Sequence, residues 1–202
     1  MNKNHRIPYH YLNHLEQSLN VFQPHPPAVT KFFGDHVHLV RLTRDQLLLE
    51  AGQVCGHYYF ICKGAVRGFI KEGRKDITTW ISVENEMVTS ISSLDLSRPA
   101  FENMQAIEDT DLLAMSNKDL NLLYDTFPSF NITGRLLLQQ YYRDAEGRAY
   151  ISRLRNAETK YRYFLSHYNH LSNRIQLKYI ASFLGITLET LSRVRRKLSV
   201  QK

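Results

Sequence analysis

The stretch Leu177–Arg196, LKYIASFLGITLETLSRVRR, decides how the C-terminal part of the chain folds. Four of its apolar residues recur at helical spacing, two on each side of a glycine: Ile180, Leu184, Leu191 and Val194. That glycine, Gly185, tolerates the left-handed backbone conformation with which many helices end. The pattern therefore predicts a helix, a tight turn and a second helix, with the two apolar stripes packed against each other.

Thr187 and Glu189 indicate where the second helix begins. The Thr187 hydroxyl can accept a hydrogen bond from a free amide of the first turn, and Glu189 lies where the helix dipole favours negative charge. The face opposite the apolar stripe then carries a mostly polar and basic set: Thr187, Leu188, Glu189, Ser192, Arg193, Arg196 and Lys197. Such a face can contact base edges and phosphates in a major groove, although a solvated αα-hairpin has a similar pattern. The small, glycine and apolar positions together favour a DNA-binding helix-turn-helix.

The charge of the chain is concentrated in the same segment. The 202 residues carry a net charge of +7, with 43% hydrophobic and 22% charged residues, a composition typical of a soluble globular protein. From Ile151 onward there are 11 Lys and Arg residues against Glu158 and Glu189, a net charge of +9, whereas the first 150 residues have a net charge of −2. A basic segment whose apolar residues also recur at helical spacing is expected to fold and to bind a polyanionic partner.

Several classes of protein are disfavoured by the remaining composition. The N-terminal residues lack the apolar core of an export signal, and no apolar run approaches the length of a membrane span. Cys55 and Cys62 cannot form a disulfide framework, which fits a reducing compartment. Together, these features predict a cytoplasmic protein that does not associate with a membrane. We find no phosphate-binding glycine loop, no nucleophile–base pair and no metal-spaced ligand cluster, and we therefore expect neither an enzyme nor a metal site.

The chain ahead of the basic segment divides into a strand-rich and a helical part. Leu12, Leu15 and Leu19 predict an opening helix over 9–22, and a short helical turn is expected near 28–33. From Val37 to Met115, short runs of β-branched and aromatic residues alternate with glycines, which predicts an antiparallel sandwich or roll. After a short helix that ends at Pro128, one long helix is predicted over 129–154, followed by another over 157–168.

The long helix has apolar residues on more than one face. A helix with this pattern can pack on its own domain and also on a second copy of the chain, and we expect a homodimer through residues 129–155. The alternative is a connecting helix that packs only within its own subunit. The predicted domains are a sensor at 1–128, the dimerisation helix at 129–155 and a DNA-binding domain at 156–202.

This order of elements resembles the bacterial transcription regulators of the Crp/Fnr type, which have an N-terminal cyclic-nucleotide-binding-like domain. The stretch LLLEAGQVCGHYYFICKGAVRGFI looks like that family's strand–turn–strand run, and LGITLETLSRVRRKL looks like its recognition element. The resemblance implies an α+β fold: an antiparallel β-roll (a double-stranded β-helix) with flanking helices, a long dimerisation helix and a C-terminal all-α helix-turn-helix domain. It also implies double-stranded DNA, a second copy of the chain and RNA polymerase as partners.

The resemblance assigns roles to particular residues. Glu189 and Arg193 stand where the family places its base-reading glutamate and arginine, whereas Leu188 replaces an arginine found in many members, so we expect a different half-site. The full set of expected DNA contacts is Lys178, Thr187, Leu188, Glu189, Thr190, Ser192, Arg193, Arg196 and Lys197. Few residues follow Leu198, so the chain resembles a shortened variant without the family's hairpin wing.

The sensor segment departs from the family's cyclic-nucleotide signature, which uses a Gly-Glu pair and an Arg-Ser pair. Thr89 and Ser90 stand at the first pair, and either Ala100 with Phe101 or Glu102 with Asn103 at the second. Because a buried cyclic phosphate needs a charge-assisted partner, we do not expect cyclic AMP to bind in the family's manner and assign no cofactor.

A different ligand would require other polar side chains in the roll. The residues expected to line such a pocket are Arg67, Trp80, Thr89, Ser90, Ser92, Glu102 and Asn103. One alternative function follows from this: a ligand-binding module whose helical tail engages a protein instead of DNA.

Overall fold

We describe a computed structural model of the chain over residues 7–200. The helices, in chain order, are α1 Tyr9–Asn20, α2 Pro27–His36, α3 Ile91–Leu96, α4 Asn117–Thr126, α5 Phe130–Arg153, α6 Ala157–Tyr168, α7 Leu177–Leu184 and α8 Leu188–Val200. The strands are β1 His38–Leu42, β2 Leu47–Leu49, β3 His57–Lys63, β4 Ala65–Glu72, β5 Lys75–Val83, β6 Met87–Val88, β7 Asn103–Ala106 and β8 Thr110–Ser116. A 3₁₀ turn over Asn169–Leu171 separates α6 from α7.

The eight strands form two four-stranded sheets with the orders β1-β8-β3-β6 and β2-β7-β4-β5. Apart from the β4–β5 hairpin, neighbouring strands in each sheet are not consecutive in the sequence, as expected of a roll. In the first sheet β8 is central, and its Ala114 lies opposite His38 of β1 and Tyr59 of β3, both in antiparallel register. Ile61, Met104 and other strand residues are fully buried, so the strands enclose an apolar interior.

The chain forms two compact units: the first extends to Gly68 and resumes over Ser82–Gln140, and the second comprises Phe69–Ile81 and the chain from Tyr141 onward. The first unit contains most of the roll and α1 to α4. Leu15, Phe33 and Leu123, from three of these helices, belong to one buried cluster with residues of β3 and β8.

The opening helix is held to β8 by a polar contact. The Tyr11 hydroxyl donates a hydrogen bond to the Asp111 carboxylate, and Arg41 lies 3.7 Å from the same carboxylate. Burial, followed by the contact with Asp111, raises the pKa of Tyr11 to about 12, so the phenol keeps its proton at physiological pH.

The second unit has its own core. Phe164 of α6, Ile180 and Leu184 of α7 and Leu191 of α8 are all at most 1% exposed. The tip of the β4–β5 hairpin joins this unit through Ser182 of α7, whose hydroxyl donates to the Asp76 carbonyl and accepts from the Thr78 amide, each at 2.9 Å.

The fold class predicted from the sequence is confirmed, with antiparallel sheets, flanking helices and a helical C-terminal part. The helix α6 has the predicted bounds, and the long helix α5 differs from its prediction by one residue at each end. The short helix α3 was not predicted, because its six residues are too few to show a periodic pattern. The proposed domain boundaries at 128 and 155 stay predictions.

Candidate DNA-binding surface

The turn between α7 and α8 is built as the sequence predicts. Gly185 has φ +61°, and the Ile186 amide donates to the Ala181 carbonyl at 3.0 Å, which closes the end of α7. The Lys160 ammonium from α6 donates to the Leu184 carbonyl at 2.7 Å, although the Lys160 side chain is buried. This lysine satisfies a carbonyl that the helix end leaves without an intrahelical partner, and thereby fixes the turn on α6.

The start of α8 is capped by threonine. The Thr190 amide donates to the Thr187 hydroxyl oxygen at 3.2 Å, so Thr187 has the capping role that the sequence predicts. Hydrogen bonds from its own backbone amide and from Thr187 lower the pKa of Glu189. The Glu189 carboxylate is therefore ionised at neutral pH and lies over the positive end of the helix dipole.

The two faces of α8 are separated as the sequence predicts. Leu191 and Val194 are buried, and α8 packs against α6 and α7 through this side. The opposite side is exposed at the following positions: Thr187, Leu188, Glu189, Ser192, Arg193, Arg196 and Lys197. Lys178 near the start of α7 is also exposed, and Thr190 is half-buried. Whether these residues contact DNA stays a prediction.

The basic residues of α8 differ in what they contact. Over residues 7–200, the structure gives neither Arg193 nor Arg196 an ion pair. Arg195 instead donates to the Ser172 carbonyl at 2.8 Å and lies over the ring of Tyr161, so its guanidinium serves packing within the unit. Lys197 donates to the Glu158 carboxylate at 2.7 Å.

Sequence reasoning overlooked three contributions to this surface. The roles of Lys160 and Ser182 depend on contacts between elements distant in the sequence, which no local pattern reveals. By contrast, Arg162 follows Glu158 by four residues on α6, a spacing that predicts an ion pair on a helix surface. The structure has this pair at 2.8 Å.

The residues expected to line a ligand pocket are distributed over both units. Trp80 is in the second unit, and the other six are in the first. Arg67, Glu102 and Asn103 are buried; the Arg67 Nε donates to Gln105 at 2.9 Å, and the Asn103 Oδ1 accepts from the Ala51 amide at 3.0 Å.

The remaining expected pocket residues surround the start of α3. The Thr89 hydroxyl donates to the His57 carbonyl at 2.9 Å, Ser92 is half-buried, and Ser90 is fully buried. The Ser90 Oγ has no hydrogen-bond partner within the described residues. At the two alternative positions of the family's arginine–serine pair, Ala100 is buried and Phe101 is exposed, whereas Glu102 and Asn103 are both buried. Residues 7–200 contain no group of His, Cys, Asp and Glu side chains arranged to hold a metal ion.

Comparison with known proteins relates the strand-rich part of the chain to a known domain family. Residues 39–127 match the family model of the cyclic nucleotide-binding domain. A comparison with curated protein sequences finds no match. Among residues 7–200, no helix has both the length and the apolar character needed to cross a bilayer.

Solved structures similar to the chain cover nearly all of it. A CooA mutant from Carboxydothermus hydrogenoformans has a TM-score of 0.69 at 16% identity, covering 91% of this chain and 84% of that one. The c-di-GMP responsive global regulator CLP from Xanthomonas campestris has a TM-score of 0.67 at 18% identity, with coverages of 87% and 93%. A protein from Eubacterium rectale assigned to the Crp/Fnr family of transcriptional regulators has a TM-score of 0.66 at 17% identity, with coverages of 92% and 89%.

Residues 39–127 thus resemble a cyclic nucleotide-binding domain, and the fold of the chain is similar to that of Crp/Fnr-type regulators. The resemblance inferred from the sequence is confirmed at the level of the fold. A fold can host unrelated functions, so the function of this chain depends on the side chains at its site.

Proposed function

We propose that the protein is a transcription regulator that binds double-stranded DNA in a sequence-specific manner. The observation that carries the proposal is the exposed face of α8: it lies on a helix whose start is capped and whose opposite face is buried, and it presents Arg193 and Glu189. A rigid helix with this face can enter a major groove and place side chains against base edges. The net charge of +9 from residue 151 onward supports a polyanionic partner.

Base recognition is assigned to the first two turns of α8. The Arg193 guanidinium can donate two hydrogen bonds to a guanine, and the ionised Glu189 carboxylate can accept one from a cytosine amine. Leu188 is 43% exposed and offers an apolar contact of the kind that thymine methyl groups make. Arg196 and Lys178 are assigned to phosphates, which hold the helix in register without reading sequence.

The protein is proposed to act as a homodimer through α5. Leu138 and Tyr142 follow each other by four residues on this helix and are 60% and 74% exposed. Ile132 and Tyr150 are exposed on the same helix. Exposed apolar side chains at helical spacing are typical of a helix–helix interface, and a symmetric pair would place two recognition helices about 34 Å apart.

Replacing both Leu138 and Tyr142 with glutamate is expected to convert the dimer into a monomer, because four carboxylates would then meet at the interface. Light scattering after size exclusion measures the mass directly. Gln139→Glu, at an exposed position adjacent to this pair, is the matched control and should leave the dimer intact. A wild-type mass of one chain at micromolar concentration would contradict this assignment.

The sensor domain is proposed to bind a ligand other than cyclic AMP or to have lost its ligand. Either Ala100 with Phe101 or Glu102 with Asn103 stands where the family's Arg-Ser pair is expected, and none of these side chains is a cation that could pair with a phosphate. We also propose that the protein is cytoplasmic and that RNA polymerase is a further partner.

The direct test of DNA binding is an electrophoretic shift of a random duplex pool at low salt. We expect a shift that weakens steeply as the salt concentration rises, since each phosphate contact releases counterions. The alternative function, a ligand-binding module with a protein partner, would be favoured if no duplex shifted under these conditions.

A further inference from the structure

One cation of α8 and one of α6 contact the same carboxylate, that of Glu158 at the start of α6. The Lys197 ammonium donates to the Glu158 Oε2 at 2.7 Å, and the Arg162 Nε and Nη2 donate to the Glu158 Oε1 at 3.0 and 2.8 Å. These hydrogen bonds, first that of Lys197 and then that of Arg162, lower the pKa of Glu158, so the carboxylate is ionised at neutral pH. All three residues lie within the second unit.

This arrangement is also what a DNA phosphate requires. A guanidinium that donates through two nitrogens, together with an ammonium on the other side, presents convergent charged donors to an oxyanion. The side chains of Arg162 and Lys197 are 56% and 59% exposed, so solvent and ligands reach them. Glu158 is one of two acidic residues in the segment from residue 151 onward.

We propose that Arg162 and Lys197 form a phosphate site for the DNA backbone and that Glu158 is an internal competitor for it. The Glu158 carboxylate occupies the position between the two cations that a phosphate would take. This inference rests on the proposed function, because it supposes that DNA approaches the second unit. Beyond the proposed recognition helix, it assigns a DNA contact to Arg162 of α6. It also assigns to Glu158 a role in limiting the affinity for DNA.

The competition has a defined consequence for binding. Each duplex must displace the Glu158 carboxylate before its phosphate reaches Arg162 and Lys197, whatever the base sequence is. Glu158 therefore lowers the affinity for all duplexes by a similar factor and leaves the discrimination between them unchanged. The protein binds DNA less tightly than the charge of its C-terminal segment would otherwise allow.

The experiment measures the affinity of the full-length protein for a random duplex and for a selected one over a range of salt concentrations. We expect Glu158→Gln to tighten binding to both duplexes by a similar factor, about threefold to tenfold at low salt. The factor is modest because the exposed ion pair that Glu158 makes is weak. It should decrease as the salt concentration rises, because contacts with phosphate are salt-dependent. Glu50→Gln makes the same change in net charge at an exposed position of the first unit and should change the affinity little.

Two further variants separate competition from other effects. Glu158→Asp keeps a negative charge in the first turn of α6 but shortens the side chain, so it should give an intermediate affinity. In a chain that carries Arg162→Ala and Lys197→Ala, Glu158→Gln should give no gain, because the phosphate site is then absent.

The outcomes are distinguishable from those of the proposed function. If wild type binds duplexes but Glu158→Gln binds no more tightly than Glu50→Gln, the competitor role is wrong while DNA binding stands. A gain that persists without Arg162 and Lys197 also overturns it. If neither wild type nor Glu158→Gln binds any duplex, the proposed function fails and this inference fails with it.

Discussion

Replacing Arg193 with alanine is expected to weaken binding to the selected duplex by about thirtyfold or more, while binding to random duplex falls only a fewfold. A good bidentate contact to guanine contributes about 1–3 kcal/mol of discrimination, and a dimer makes the contact twice. Arg193 is exposed, so its removal should not disturb the fold. Titration of the variant against both duplexes at one salt concentration measures the two effects.

Arg196→Ala is the matched control for this prediction, since it removes the same charge from the same helix face. Its expected effect is sequence-independent, with a similar loss on both duplexes and a shallower dependence of affinity on salt concentration. Equal losses for Arg193→Ala on the selected and random duplexes would remove its base-reading role.

A second large effect is expected for Gly64→Ala, which should strongly destabilise the first unit. Gly64 lies between β3 and β4 with φ +96°, and an added Cβ would lie 2.6 Å from the Asp109 carbonyl oxygen and 2.8 Å from the Thr110 Cα. Both neighbours are backbone atoms, so relief requires the strands to move. Strain and overpacking together should cost about 3 kcal/mol or more. Thermal or urea unfolding monitored by circular dichroism measures the loss.

Gly52→Ala provides a closely matched control. Gly52 has the same φ of +96°, but nothing lies within 4 Å of an added Cβ. This variant should cost about 1 kcal/mol, the penalty for a side chain in a left-handed conformation alone. If the two variants unfolded at the same denaturant concentration, the close approach of Gly64 to Thr110 would be contradicted.

The C-terminal helices could be predicted from the sequence because their structure is locally determined. Gly185 ends α7, Thr187 caps α8, and Leu191 and Val194 alternate with polar residues at helical spacing. Each of these features depends on residues that are close to one another in the sequence. It can therefore be recognised without knowledge of the tertiary structure. The same holds for the bounds of α6, whose capping residue Asn156 accepts hydrogen bonds from the amides of the next turn.

What the sequence could not reveal depends on contacts between distant segments. The exposed and ion-paired cations of α8 look alike in the sequence, yet Arg195 binds the Ser172 carbonyl and Lys197 binds Glu158. Lys160 looks like a surface lysine but is buried against the end of α7. The strand order of the two sheets likewise pairs β1 with β8, which no short-range pattern indicates.

The most direct test of this account is the sequence of the duplexes that the wild-type protein selects from a random library. We expect two inverted half-sites whose centres lie about one helical turn apart, each with a G·C pair at the position that Arg193→Ala ceases to discriminate. Recovery of duplexes without a shared motif, or of a single unrepeated half-site bound by one chain, would contradict it.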